Sequence, residues 1–264
     1  MTIVVKVGGA IGNATDGVLD DLATRRDFVL VHGGSKEVDR LGEALGRPPE
    51  YFTSPSGVVS RRSTPAHLEV VVMALAGKVQ TEIVSGLAKR GVVAVGLSGV
   101  DGRLLLARRK EGAREVVDGR TLRVANDLAG TVERVNTELL GNLLSSGFAP
   151  VVGPPAITAQ GEVVNVDADR VAADVAVALH ADALLLLTNV PGLLRDPNDP
   201  ASLVAHVDVD RFDEFLALAK GRMRKKLLAA RTAREGGVGQ VVIASSTGTR
   251  PIVAGLQGGG TAVT

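Results

Sequence analysis

The chain has 264 residues, with no cysteine, no tryptophan, one tyrosine and five phenylalanines. That length suits one large domain or two small ones, and 45% hydrophobic against 22% charged residues is the balance of a globular enzyme with a sizeable core. Lack of cysteine excludes a disulfide scaffold, an iron–sulfur cluster, a thiolate zinc site and thiol catalysis, while a formal net charge of +1 and so few aromatics speak against nucleic acid as a partner.

The first predicted strand, Ile3–Val7, carries Lys6 where a signal peptide would continue its apolar core. Helix Gly17–Arg25, strand Phe28–His32 and helix Lys36–Leu45 follow. Next come the long helix Pro65–Arg90, strand Val92–Leu97, helix Asn136–Ser146, strand Ala149–Gly153 and helix Asp167–His180. Strand Leu184–Asn189, helices Asp208–Ala217 and Met223–Glu235, and strand Gln240–Ala244 complete the series. Strands this rich in Val, Ile and Leu are buried on both faces, and their alternation with helices predicts an α/β fold around a mainly parallel sheet. The apolar stretch Val171–Leu187 is broken by Asp174, His180 and Asp182, so no membrane span is expected and the chain reads as soluble and cytoplasmic.

One segment departs from this alternation. Leu104–Ala107, Val116–Val117 and Leu122–Val124 read as short antiparallel strands, with the turn Asp118-Gly119 between the last two. Arg103–Arg123 holds seven basic residues (Arg103, Arg108, Arg109, Lys110, Arg114, Arg120, Arg123) against Glu111, Glu115 and Asp118. That is a local positive surplus in a nearly neutral chain.

The chain has no G-x-x-x-x-G-K-[ST] loop, no G-x-G-x-x-G opening a helix, no H-E-x-x-H and no G-x-S-x-G elbow. What it has is distributed. Lys6-Val7-Gly8-Gly9 ends the first strand and His32-Gly33-Gly34-Ser35 the second, so backbone N–H groups can approach an anion closely beside a helix start. Glycine pairs also make ordinary tight turns, but Lys6 inside an apolar strand needs either a partner or the ligand edge of the sheet. Gly221-Arg222-Met223-Arg224-Lys225-Lys226 puts positive charge at the start of a helix, the unfavourable end unless an anion neutralises it. Asp167 and Asp169 suit a helix N-terminus, whereas capping leaves Asn165 unexplained.

The order K-x-G-G, H-G-G, N-x-x-x-D, T-N-V-P-G-L and G-x-M-x-x-K resembles the amino acid kinase family across essentially the whole chain. Within it the chain is similar to acetylglutamate kinases. More closely, it resembles the kinases of bacterial and archaeal lysine biosynthesis that phosphorylate 2-aminoadipate attached to an amino-group carrier protein. The resemblance implies a three-layer αβα sandwich over 1–264, with an acyl-substrate and dimerisation half near 1–165 and a nucleotide half near 166–264. It implies phosphoryl transfer from ATP, with Mg²⁺ held mainly by phosphates and water, to a side-chain carboxylate. Lys6 and Lys226 become the two transition-state lysines, with Asp169 holding both; Lys226 is preferred to Lys225 because it follows Met223 by three residues. Gly33, Gly34, Ser35, Asn165 and Arg61 would hold the acyl substrate, with Arg62 the alternative arginine. Gly8, Gly9, Thr188, Asn189, Pro191, Gly192, Leu193 and Met223 would hold the nucleotide.

Two departures from the family pattern, Ser35 for a third glycine and Asp167 in the N-x-N-x-D core, resemble the aminoadipate branch. In that branch Arg108, Arg109 and Lys110 would contact a small acidic carrier protein. The position of Lys6 leaves no room for the extra N-terminal helix of arginine-inhibited hexamers, so a homodimer without arginine feedback is expected, paired through Pro65–Arg90. The rivals are a kinase of free acetylglutamate, a bifunctional kinase also acting on carrier-bound glutamate, and a non-catalytic nucleotide sensor.

Overall fold

The computed structural model describes residues 1–8, 13–53, 55, 59–112, 114–117, 120–124 and 126–264. Strands β1 (Ile3–Val7) and β2 (Phe28–His32) are buried along their whole length and flank helix α1 (Asn13–Ala23) in the chain. Helix α2 (Ser35–Ala44) leaves β2 after Gly33 and Gly34. A two-stranded ribbon, β3 (Tyr51–Thr53) with β4 (Val59–Arg61), leads to a continuous helical rod. The rod starts as α3 (Pro65–Val71), capped by Thr64 with proline in its first turn, widens into a π-helical stretch (Val72–Val79) and ends as α4 (Gln80–Ala88).

Strand β5 (Ala94–Gly99) precedes β6 (Leu105–Arg109). Among the described residues strands β7 (Arg114–Val117) and β8 (Arg120–Arg123) pair only with each other, and β9 (Gly130–Val135) returns antiparallel to β6. The chain then runs through α5 (Thr137–Ser145), β10 (Ala149–Thr158), β11 (Val163–Val164), α6 (Ala168–Ala178) and β12 (Ala183–Thr188). It ends with β13 (His206–Val207), α7 (Phe212–Leu218), α8 (Gly221–Glu235), β14 (Gln240–Ser245), α9 (Pro251–Leu256) and β15 (Gly260–Val263).

Among the described residues one eleven-stranded sheet runs β13-β15-β14-β12-β1-β2-β10-β6-β9, with β5 and β11 also on β10. The pairs at its centre are parallel: β14 with β12, β12 with β1, β1 with β2, and β2 with β10. Strand alternation divides the core into two layers. Val4, Val29, Val31, Val152, Leu184 and Leu186 pack under α6 and α8, while Ile3, Val5, Val7, Phe28, Leu30 and Leu185 pack under α1, α2 and the helical rod. This is the expected αβα sandwich. Asp21 of α1 ties the second layer together: its buried Oδ2 accepts hydrogen bonds from the Ile252 and Val253 N–H groups at the start of α9.

Several elements differ from the sequence expectation. Leu105–Arg109 belongs to the main sheet, parallel to β10 and antiparallel to β9, rather than to the basic ribbon, and Asp118-Gly119 lies outside the described residues. Ala149–Thr158 extends five residues beyond the predicted Gly153, because β6 and β11 pair with its second half. The segment Asp208–Ala217 splits into a 3₁₀ turn, Val209–Arg211, and α7. The 24-residue rod Pro65–Ala88 is long and apolar enough to cross a bilayer, more so than Val171–Leu187, yet Leu68, Val70, Val71, Ala74, Leu75, Val79, Ile83 and Leu87 are buried in the sheet-facing layer.

Candidate active site

The site lies at the C-terminal edge of the parallel strands, where chain leaves β1, β2 and β12 toward helix N-termini. Lys6 shares the sheet face of Val4 by strand alternation, so its side chain meets α6 and α8. Its Nζ donates to Asp169 Oδ1 at 2.7 Å, and Lys226 Nζ reaches the same oxygen at 2.7 Å. Lys6, Asp169 and Lys226 are only 5%, 8% and 6% exposed. Buried charge needs partners, and here one carboxylate serves two ammonium groups, leaving a net positive charge.

Burial alone would raise the Asp169 pKa, but the two lysines hold it down at about 2. Burial and the neighbouring Lys6 charge push Lys226 down to about 8, against the pull of Asp169. Asp169 is placed for this by Asp167, whose Oδ1 caps α6 by accepting from the Asp169 and Arg170 N–H groups. Asp167 also faces Lys225 at 3.7 Å, which identifies Lys225 as a cap neighbour and Lys226 as the member of the centre.

Gly33 and Gly8 bracket the Lys6 ammonium: a Cβ built on either would lie 4.0 Å and 3.7 Å from Lys6 Nζ, respectively. Gly33 N–H donates to the Val7 carbonyl, which locks the β1 and β2 turns side by side. Gly34 is held from below, since a Cβ there would come 2.5 Å from Leu75 Cδ2. Ser35 opens α2, so that helix start faces the same edge. Gly9 lies outside the described residues.

On the acyl side, Asn165 Nδ2 donates to Ser63 Oγ, and the Ser63 N–H donates to buried Asp127 Oδ1. Ser63 and Asp127 were invisible as site supports in the sequence, since their partners stand far away in the chain. Arg61 pairs with Asp39, stands over the Tyr51 ring at 5.7 Å and keeps a buried Nε without a partner among the described residues. Beside it is His67, whose buried Nε2 is also unpaired; burial and the Arg61 charge lower its pKa. Arg62 points elsewhere, to Glu115 of β7 at 2.6 Å. The local geometry therefore gives the two arginines different jobs: Arg61 lines the α2 side and Arg62 fastens the ribbon.

Around the expected nucleotide loop, Thr188 ends β12 half-buried, Asn189 is exposed and Pro191 is half-buried. Gly192 and Leu193 are buried instead. A Cβ on Gly192 would lie 2.4 Å from Thr261 Oγ1, and Leu193 N–H donates to that hydroxyl at 2.8 Å. These two residues shape the loop through β15. Met223 packs against the first core layer from the start of α8.

In the basic segment, Arg108 pairs with Glu133 while staying exposed. Arg109 is half-buried and committed within the chain, donating from Nε to the Asp127 carbonyl and from Nη1 to Glu162. Lys110 is exposed. Among the described residues no group of three His, Asp or Glu side chains is gathered to hold a metal ion.

Residues 1–245 match the amino acid kinase family. This chain belongs to that family. The kinase is 47% identical over 265 residues to the [LysW]-aminoadipate kinase of Deinococcus radiodurans, covering 99% of this chain and 91% of that one. It is 45% identical over 267 residues to the [LysW]-aminoadipate kinase of Thermus thermophilus, covering 99% of each. Among solved structures, smu.665 from Streptococcus mutans superposes with a TM-score of 0.80 at 23% identity, over all of this kinase and 98% of that chain, which shows the fold.

Proposed function

We propose that this kinase transfers the γ-phosphoryl group of ATP to the side-chain carboxylate of 2-aminoadipate carried on an amino-group carrier protein, giving an acyl phosphate in lysine biosynthesis. The observation that carries the reading is the buried Lys6–Asp169–Lys226 centre beside two glycine turns, in a chain 47% identical to a kinase of that specificity by name.

A carboxylate with a pKa of about 4.3 is already ionised, so its oxygen attacks the γ-phosphorus without a general base. The bond from that phosphorus to the β–γ bridging oxygen breaks, and ADP leaves with the electron pair. The obstacle is repulsion between two anions, and the remedy is fixed positive charge at the phosphoryl oxygens. Lys6 and Lys226 supply it from β1 and α8, and Asp169 keeps both ammonium groups in place before substrate arrives. The N–H groups of Gly8 and Gly34 line the phosphate path, while the Gly33 N–H, bonded to the Val7 carbonyl, holds the two turns together. Thr188, Asn189, Pro191 and Met223 border the nucleotide, with Gly192 and Leu193 shaping that border from beneath.

Both lysines bind Asp169 Oδ1, so among the described residues the carboxylate at the centre is already engaged. Mg²⁺ would be held by the phosphates of ATP and would lower their charge. Ser35, Asn165 and Arg61 hold the acyl substrate; a guanidinium can grip a carboxylate bidentately. Exposed Arg108 and Lys110 meet an acidic carrier, while Arg109 acts from within by supporting Asp127. The working form is a cytoplasmic homodimer paired through the rod, whose outer face exposes Val72 and Met73.

The test is ATP turnover with carrier-bound aminoadipate, carrier-bound glutamate and free N-acetylglutamate. Turnover of carrier-bound aminoadipate well above the other two is expected. Efficient turnover of free N-acetylglutamate, with none on the carrier, would overturn the reading.

A further inference from the structure

The centre described above lies on one face of the sheet. His32, one residue before the Gly33–Gly34 turn, points to the other. It lies on the face of Phe28 and Leu30, is completely buried, and takes no part in the phosphoryl-transfer chemistry. Its Nε2 stands 3.3 Å from Gln80 Oε1, and its Nδ1 stands 3.4 Å from the Gly33 carbonyl.

Two glycines on neighbouring strands make room for this pair. A Cβ on Gly153 of β10 would fall 2.4 Å from His32 Nε2, and a Cβ on Gly96 of β5 would fall 2.7 Å from Gln80 Nε2. The Nε2–Cε1 edge of the imidazole therefore lies against Gly153 of β10 and the amide against Gly96 of β5. Gln80 is the first residue after the π-helical stretch, and the last residue of that stretch, Val79, packs with Leu75 against Gly34. A π-helical turn displaces the residues that follow it relative to an α-helix, and such turns concentrate at functional sites. In this rod it delivers Leu75, Val79 and Gln80 together to the underside of one turn.

We propose that Gln80 is a positioning residue for phosphoryl transfer: its side-chain amide fixes the His32 ring, and the ring fixes the Gly33–Gly34 turn beside Lys6. The turn is then pinned from both faces, by His32 below and by the Gly33 N–H to Val7 carbonyl bond at the Lys6 edge. Burial lowers the His32 pKa and the Lys6 charge adds to this, against the opposing pull of the Gln80 bond. The ring is thus neutral near pH 7 and carries a single N–H; donated from Nε2 to Gln80 Oε1 it fixes one tautomer, and the Nδ1 edge then braces Gly33 by packing rather than by a second hydrogen bond. Lys6 in turn is bound to Asp169 of α6, which also holds Lys226 of α8.

The kinetic arm of the test rests on the kinase reading given above; the spectroscopic arm needs no substrate. In the wild-type protein, ¹⁵N NMR should find His32 neutral and in one tautomer from pH 6 to 8. Gln80→Met keeps the side-chain length and removes the amide. It should lower kcat at least tenfold, change KM for ATP and for the acyl substrate less than threefold, and leave Tm within about 3 °C. Gln80→Glu keeps an acceptor at the same place, so it should recover kcat at alkaline pH and add an acid limb where His32 becomes protonated. A wild-type His32 that samples both tautomers would overturn the proposal, as would Gln80→Met with kcat within twofold of wild type. Loss of kcat in step with loss of Tm in both variants would also overturn it, by making Gln80 a packing residue. If no acyl substrate is turned over at all, the functional reading fails while the NMR result still decides the role of Gln80.

Discussion

Replacing Asp169 by asparagine keeps the shape of the side chain and removes the charge that Lys6 and Lys226 share. Both ammonium nitrogens lie 2.7 Å from one oxygen, so they stand at most about 5.4 Å apart, twice that distance. At an effective dielectric near 20, each lysine loses about 6 kcal/mol of attraction, and the mutual repulsion of about 3 kcal/mol is left uncompensated. Lys226, already at about 8, relieves part of this by releasing its proton. The net loss should then fall in the range of about 3–5 kcal/mol found when one partner of a buried ion pair is removed. For a domain of this size that is a drop of roughly 6–15 °C in Tm. Activity should suffer separately, because a deprotonated or displaced lysine no longer meets the phosphoryl oxygens: kcat should fall about 10²–10³-fold. Thermal unfolding followed by circular dichroism, together with a coupled assay of ADP release, measures both. A variant that melts within 3 °C of wild type and keeps kcat within fivefold would refute the shared-carboxylate account.

The pH dependence has two limbs. The folded Asp169 carboxyl, at about 2, lies below its ordinary 3.8, so its stabilisation is present above about pH 4 and is lost as pH falls toward 2; Asp169→Asn should narrow its deficit over that interval. As pH rises through about 8, free Lys226 loses its charge, so kcat/KM should fall while kcat, set with triphosphate bound, holds to higher pH. A flat kcat/KM up to pH 9.5 would contradict this, and Lys226→Ala should cut kcat far more than ATP affinity. Arg61→Lys should raise KM for the acyl substrate at least tenfold with KM for ATP unchanged, whereas Arg62→Lys should act through the ribbon held by Glu115; equal behaviour of the two would remove the distinction. Asp21→Ala should cost about 2–3 kcal/mol by uncapping α9, read as a lower Tm with kcat intact.

Much of this was legible in the chain because its signals are local. Ile3–Val7 and Phe28–His32 announce themselves as runs buried on both faces, and their bounds match the structure. Lys6 stood out for the same reason, as a charge where burial is the rule. The rest depends on partners distant in sequence. Tyr51–Thr53 and Val59–Arg61 are three-residue strands, too short to show a period, and Thr131, Glu133 and Arg134 disguise β9 as loop. The π-helical stretch leaves the apolar pattern of Pro65–Arg90 unbroken, so nothing in it marks Gln80 as inward-facing. Ser63, Asp127 and the internal bonds of Arg109 follow from contacts across the fold, which composition cannot foretell. Gly192 and Leu193 carry a motif whose text suggests nucleotide contact, while their burial against Thr261 is a demand of loop packing.

The chain leaves the sheet at Arg109 and rejoins it at Gly130, and those two residues are register partners, with the Lys110 N–H bonded to the Ala129 carbonyl just beyond them. The excursion between them is therefore closed at its base like the stem of a loop. Changes in its length or charge need not shift the register of β6 or β9, nor reach the lysines on β1 and α8. If the excursion meets the carrier as proposed above, partner preference and chemistry can diverge at different speeds in such a scaffold. Among the described residues the ties between them include Glu115 to Arg62, Asp127 and Leu128 to Ser63, and Leu128 to Asn165.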